Sequence, residues 1–325
     1  MPVANFEPPT GGERIRLGVS SCLLGEQVRF DAGHKRESFV ADILPRYFDM
    51  IPVCPEVAIG LGVPREPIRL EGDERAPRAI GVKTKSLDVT ERLAAYGRRM
   101  AGELGGISGY IFKSKSPSCG MERVKLYGAG GMARKVGRGI YAAEIMRAMP
   151  LLPTEEEGRL NDPVLRENFI ERVYAFHRWQ RLRDEGLSAE RLVDFHAAHK
   201  LIVMAHSRAH LTRLGRLVAQ AGARPLPELA EEYGLTFMDA LRHKATRKRH
   251  ADVLYHLMGY LKRALDGDDK AELVESIESY RTGQVPLIVP VTLLKHHFRR
   301  QPHPYVERQL YLSWVPAGLG LWNAI

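Results

Sequence analysis

Three cysteines are all the thiol chemistry in this chain, and each follows a short apolar run. Ile15 to Ser21 leads into Cys22-Leu23-Leu24-Gly25, and Tyr47 to Val53 leads into Cys54-Pro55-Glu56. Gly109 to Phe112 leads into Lys113-Ser114-Lys115-Ser116-Pro117-Ser118-Cys119-Gly120. Thiolate is a soft ligand suited to zinc or iron–sulfur sites. Structural zinc takes four protein ligands, often as close pairs, whereas here the gaps are 32 and 65 residues and there is no fourth cysteine. A zinc deaminase would show a paired C-x-x-C, which is missing. Three cysteines on a 4Fe–4S cluster would leave one iron open as a Lewis acid. Radical enzymes of that kind carry all three within one short loop, a pattern absent here, so non-redox chemistry is favoured. The plain alternative is three buried structural cysteines.

The elements that must position these thiols read as alternating strands and helices. Each apolar run is a candidate strand with its cysteine just past the carboxyl end, where ligands gather in open α/β sheets. A turn over Val28 to Arg36 opens a helix running through Tyr47, and Asp31 can cap it. The loop from Cys54 to Glu66 is rich in glycine and proline but has neither the G-x-G-x-x-G nor the P-loop pattern. Asp88-Val89-Thr90 starts a helix with Leu93, Tyr96, Met100 and Leu104 on its apolar positions. A strand at Val124 to Tyr127, a glycine-rich loop over 128–139 and a helix over 140–149 complete a Rossmann-like α/β domain with a parallel sheet.

Domain limits follow from a change of composition. Residues 1–152 form the first domain, 153–162 an acidic, Pro/Gly-flanked linker, and 163–325 an all-α domain opened by Asn161-Asp162-Pro163. Helical periodicity covers 163–184, 188–206, 207–222, 226–244, 246–265 and 269–281, with shorter pieces near 290–300 and 304–313. Eleven of the twelve histidines fall beyond residue 162. His196, His199, His206 and His210 share one helical face if that helix is continuous, a spacing able to hold metal. No neighbouring cysteine or carboxylate completes a site, and packing is the simpler reading.

Length, charge and hydropathy bound the rest. At 325 residues two cores are expected. No apolar run reaches about 18 residues, so no membrane span is expected, and the polar, disordered-looking start shows no secretion signal. An odd cysteine count argues against a disulfide framework and for a reducing cytosol. Net charge is +9, with 23 Lys+Arg against 17 Asp+Glu up to Leu152 and 25 against 22 beyond it. Such a surface favours polyanions, nucleic acid above all. The densest cationic run is Arg242 to His250, followed by Lys295 to Arg300.

The motifs VSSCLLG (19–25), VRFDAGHKR (28–36), PVCPEVAIGLGVPRE (52–66) and KSPSCG (115–120) resemble those of the thiouracil desulfidase family, in the same order and with similar spacing. The resemblance implies that Cys22, Cys54 and Cys119 hold a 4Fe–4S cluster whose fourth iron takes the sulfur of a thiolated pyrimidine, which water then replaces. It also implies that Glu56 and Ser116 fall on the family's catalytic carboxylate and serine. A desolvated Glu56 suits a general base toward water or a proton shuttle to the ring nitrogen. Ser116 or Ser118 would hold the ring or the incoming oxygen, unless both only cap the turn. Ala32 stands where many members have glycine, and no functional consequence is expected.

The second half resembles the helical YbgA-type family through Asp194 to Lys200, Thr246 to Lys262 and Val285 to Pro290. Chains joining the two domains resemble enzymes that desulfurate 4-thiouridine in transfer RNA, the helical domain supplying RNA binding. Lys200, Arg242, Lys244, Arg247, Lys248 and Arg249 are then candidate phosphate contacts, with a solvated face as the bland alternative. The competing readings are a desulfidase of free thiouracil or thiolated nucleosides, and a nucleic-acid-binding regulator with a structural or redox-sensing cluster. Neither a membrane nor a protein partner is implied.

Overall fold

The computed structural model describes residues 14–128, 130–313 and 319–323. The disordered-looking start expected ahead of the first strand lies outside them, apart from Arg14. The chain divides into two compact units, one containing residues 11–162 and the other 163–325.

The first unit is built on β1 (Arg16–Ser20), β2 (Asp49–Val53), β3 (Ile68–Asp73), β4 (Ala76–Gly81), β5 (Ile107–Phe112), β6 (Val124–Tyr127), β7 (Ala133–Gly137) and β8 (Thr154–Glu156). Its helices are α1 (Pro55–Ala58), α2 (Thr90–Glu103) and α3 (Ile140–Ala148). One sheet runs in the order β2-β1-β5-β8, and every pairing in it is parallel. All six residues of β5 are buried, as expected of a parallel strand covered on both faces. Gly18 is required at the centre of β1, because a Cβ there would lie 2.3 Å from the Tyr110 ring of β5.

A second sheet, in the order β4-β3-β6-β7, is mixed: β3 is parallel to β6, and the β3–β4 and β6–β7 pairs are antiparallel. The sequence shows β3 and β4 poorly, since their ends around Glu71-Gly72-Asp73-Glu74-Arg75 are polar. Apolar residues from its strands and the helices, among them Leu70, Leu93, Leu126 and Ile140, form a common core. The helix expected up to Tyr47 is instead a π-type turn over Phe39–Ile43 and a 3₁₀ turn over Leu44–Arg46. The expected linker is also corrected. Within 153–162, β8 pairs with β5, and Glu155 and Glu156 are buried. Acidic side chains mimic a linker in the sequence, but their carboxylates are satisfied within the unit, by Arg159 and by the Met121 N–H.

The second unit is helical: α4 (Pro163–Asp184), α5 (Ala189–His206), α6 (Arg208–Val218), α7 (Leu226–Arg242), α8 (Arg247–Tyr260), α9 (Gly267–Arg281), α10 (Ile288–Arg300) and α11 (Pro304–Glu307). Ser188, Ser207, Thr246 and Asp266 each cap a helix by accepting a backbone N–H three residues on. Trp179, Phe195, Tyr233 and Phe237 pack ring on ring at its core. Ser207 breaks the histidine line, so His210 sits on a different helix from His196, His199 and His206. His199 and His206 are buried, and His206 Nε2 faces Glu171 at 2.7 Å while its Nδ1 meets the His243 carbonyl. His199 and His206 are packing histidines, whereas His210 has a carboxylate beside it after all, its ligand atom lying within 4.8 Å of those of Asp239 and His243. No helix among the described residues is long and apolar enough to cross a membrane.

Candidate active site

Because β2, β1 and β5 lie side by side and parallel, their carboxyl ends share one edge. Cys22 sits in a 3₁₀ turn directly after β1, Cys54 caps α1 directly after β2, and Cys119 ends the turn after β5. All three line one cavity of about 600 Å³ together with Glu56 and Ser116. None forms a disulfide.

Burial governs the thiols. It pushes Cys22 up to about 11, against the pull of the Arg29 and Lys113 cations. It raises Cys54, opposed by the Val57 backbone N–H. It lifts Cys119 well above the usual thiol range, reinforced by the Glu56 carboxylate and opposed by the Ser20 hydroxyl. The same Ser20 Oγ accepts the Lys113 N–H at 2.9 Å, so it ties β1 to the start of the Cys119 turn.

Glu56 is held from two sides. Arg65 Nε and Nη2 both donate to Oε2, at 2.9 and 2.8 Å, and Ser118 Oγ donates to Oε1 at 2.8 Å. The Arg65 side chain is only 6% exposed and that of Glu56 15%, so this ion pair is largely removed from water. Arg65 also donates to the Gly62 and Val28 carbonyls, and the Cys54 thiol points at the same Val28 oxygen at 3.7 Å. The 28–36 turn is thereby laid against the Cys54 loop.

Ser116 lines the cavity while its Oγ accepts the backbone N–H groups of Ser118 and Cys119, at 3.2 and 3.1 Å. Its hydroxyl proton is left to point elsewhere. Ser118, expected to hold the ring or the incoming oxygen, is fully buried and stands behind Glu56. It positions the carboxylate instead. Lys113 is ion-paired with Glu157, which also accepts the Ser114 N–H and hydroxyl at 2.7 Å each.

Arg65, Arg29 and Glu157 belong to the cavity wall although nothing singled them out in the sequence. Arg65 lies inside a matched motif, and its place beside two prolines and a glycine-rich loop was the available signal. Arg29 Nε is buried without a hydrogen-bond acceptor, Asp31 standing 3.6 Å away. In the helical unit Arg242, Lys244, Arg247 and Lys248 are exposed and Lys200 is half-buried. Arg249 turns inward, donating to the His206 carbonyl at 2.5 Å.

Three soft donors, cations beside them and an orphaned buried donor fit an anionic metal–thiolate group. Among the described residues, the three sulfurs are not gathered within 4.8 Å of one another.

The family model described as 2-thiouracil desulfurase matches residues 17–157, and one described as a protein of unknown function, DUF1722, matches residues 200–316. The uncharacterized protein YbgA of Escherichia coli K12 is 31% identical over 151 residues, 46% of this chain and 89% of that protein. The uncharacterized protein YbbK of Bacillus subtilis 168 is 32% identical over 156 residues, 44% of this chain and 97% of that protein. A solved structure of the 4Fe-4S-dependent thiouracil desulfidase TudS is 30% identical, covering 46% of this chain and 95% of its own, with a TM-score of 0.37. The chain therefore belongs to the 2-thiouracil desulfurase family through its first unit, and carries a YbgA-type helical domain as its second.

Proposed function

We propose that this protein is a cytoplasmic, 4Fe–4S-dependent desulfidase that converts 4-thiouridine in transfer RNA to uridine and releases hydrogen sulfide. The observation that carries the reading is the arrangement of Cys22, Cys54 and Cys119 at three adjacent parallel strand ends, around one cavity that also holds Glu56. Those three thiolates would hold the cluster, which when bound supplies an open iron as a Lewis acid for a thiocarbonyl sulfur. The reaction is hydrolytic and balanced without electrons: water oxygen replaces sulfur on the pyrimidine carbon, and sulfur leaves with two protons.

The chain's own residues place and move those protons. Glu56, its Oε2 fixed by Arg65, presents Oε1 as the proton acceptor for water, and Ser118 steadies that oxygen. Ser116, anchored through its acceptor side, keeps a hydroxyl proton to offer the ring or the incoming oxygen. Arg29 and Lys113 offset negative charge beside Cys22. A base inside folded RNA must be extruded to reach such a cavity, at a cost of a few kcal/mol, and the exposed cations of α8 and the segment before it suit the phosphate contacts that offset this cost.

The test is anaerobic purification with iron and sulfide analysis, then sulfide release from thiolated transfer RNA and from free 4-thiouracil. Iron-dependent release from the RNA supports the proposal. Release from the free base alone replaces it with a small-molecule desulfidase, and a chain holding no iron refutes it. Binding to RNA through about four to six phosphates would show a log–log salt slope near −4 to −5.

A further inference from the structure

A second cavity, of about 860 Å³, opens beside the cysteine pocket and shares with it Ile68, Ser114, Lys115, Pro117 and Gly158. Six cations line it, Arg69, Lys115, Arg123, Lys125, Lys135 and Arg159, against the two carboxylates of Glu122 and Glu156. Some of this charge is already answered. Arg69 pairs with Glu71 at 2.7 Å and lies over the Tyr127 ring at 4.4 Å, and Arg159 pairs with Glu155 at 2.6 Å. Lys115, Lys125 and Lys135 have no ion pair among the described residues, and Arg123 has only Glu122 at 3.9 Å.

Two further observations point to an anion. Lys125 of β6 and Lys135 of β7 stand directly opposite each other in the antiparallel register. Like charges in that position repel and weaken the pair. Lys115 and Arg123 also hold left-handed backbone, at φ of 62° and 55°. That conformation is costly for an L side chain and concentrates where function requires it.

The geometry points to a phosphate track in the desulfidase unit itself: this groove seats the sugar–phosphate backbone flanking a base delivered into the cysteine pocket. RNA recognition is then not the task of the helical domain alone. The inference rests on the proposed RNA substrate and adds where the strand lies beside the pocket. A free base, which has no phosphate, does not need the groove.

The experiment uses the full chain and its Arg123→Ser/Lys125→Ser/Lys135→Ser variant. Binding of unmodified transfer RNA is followed by fluorescence anisotropy over a range of salt. Sulfide release is measured on thiolated transfer RNA and on the free 4-thiouridine nucleoside. The expected result is a tenfold or greater loss of RNA affinity and of kcat/KM on RNA. The salt slope should become shallower by about two to three, with turnover of the nucleoside within twofold of the parent. Lys125→Arg/Lys135→Arg, which keeps the charge, should retain RNA binding. Unchanged affinity and slope in the triple variant overturn the track, and so does an equal loss on nucleoside and RNA. If RNA binding depends on the groove but thiolated RNA is never turned over, the track stands and the proposed substrate fails.

Discussion

Glu56 and Arg65 form a doubly hydrogen-bonded ion pair in the pocket, and their removal tests two different things. Glu56→Gln keeps the shape and the Ser118 contact but cannot take a proton. Iron content should match the parent while sulfide release falls by about 10²–10⁴-fold, the range lost with a general base. Unchanged release would remove Glu56 from the role of general base. Arg65→Met leaves the half-buried carboxylate without its cation, so unfolding by denaturant should show a loss of about 3–5 kcal/mol. The double variant with Glu56→Gln should recover part of that loss. Ala32 is a smaller case. Its φ of 55° is left-handed backbone, and Ala32→Gly should stabilise the unit by roughly 1 kcal/mol in the same assay. The three cysteines were legible because each follows an apolar run, and Glu56 through the family resemblance and its place two residues after Cys54. Arg65 and Glu157 were not, because their role depends on which loop folds over which strand end, and no local periodicity encodes that.

At the scale of elements, the Cys119 turn and the start of α3 are pressed together. Gly139 precedes α3, and a Cβ there would lie 2.5 Å from the Ser118 carbonyl and 2.7 Å from the Cys119 nitrogen. Backbone on both sides leaves no side chain free to yield. Gly139→Ala should therefore push the Cys119 turn off its strand and lower the iron retained per chain, with helix content by circular dichroism little changed. The parallel sheet was readable because β1, β2 and β5 are apolar and end in turn residues. The β3–β4 hairpin was hidden by its polar ends, and β8 by an acidic composition whose carboxylates meet partners far away in the sequence. In the helical half, capping serines and apolar spacing marked most helix starts to within a residue or two. The histidine face, offered only for a continuous helix, is broken at Ser207, where the predicted helices 188–206 and 207–222 already divided.

The whole molecule carries a pH dependence set by buried groups in the helical unit. Burial holds His199 and His250 neutral, each lowered to about 3. The unfolded chain takes up protons at these histidines first, so their stabilisation is complete above about pH 6.5 and is lost as pH falls toward 3. Each contributes at most about 1.4 kcal/mol per pH unit. Glu167, raised to about 7 by burial, acts oppositely between about 4.5 and 7, but below 6.5 it stands against His199, His250 and the likewise lowered His196 and His256. The calorimetric midpoint of the helical transition should therefore drop between pH 6.5 and 4, most steeply below 4.5. His250→Gln should flatten that slope.

The strand order β2-β1-β5 also dictates a timetable. Synthesis releases Cys22 and Cys54 early, on neighbouring strands, but the third sulfur arrives only once β5 has docked along the far side of β1. A ribosome that has exposed about a hundred residues thus presents a two-legged grip. On the ligand set proposed above, cofactor delivery would wait for the late strand, making β5 docking the step that completes the site.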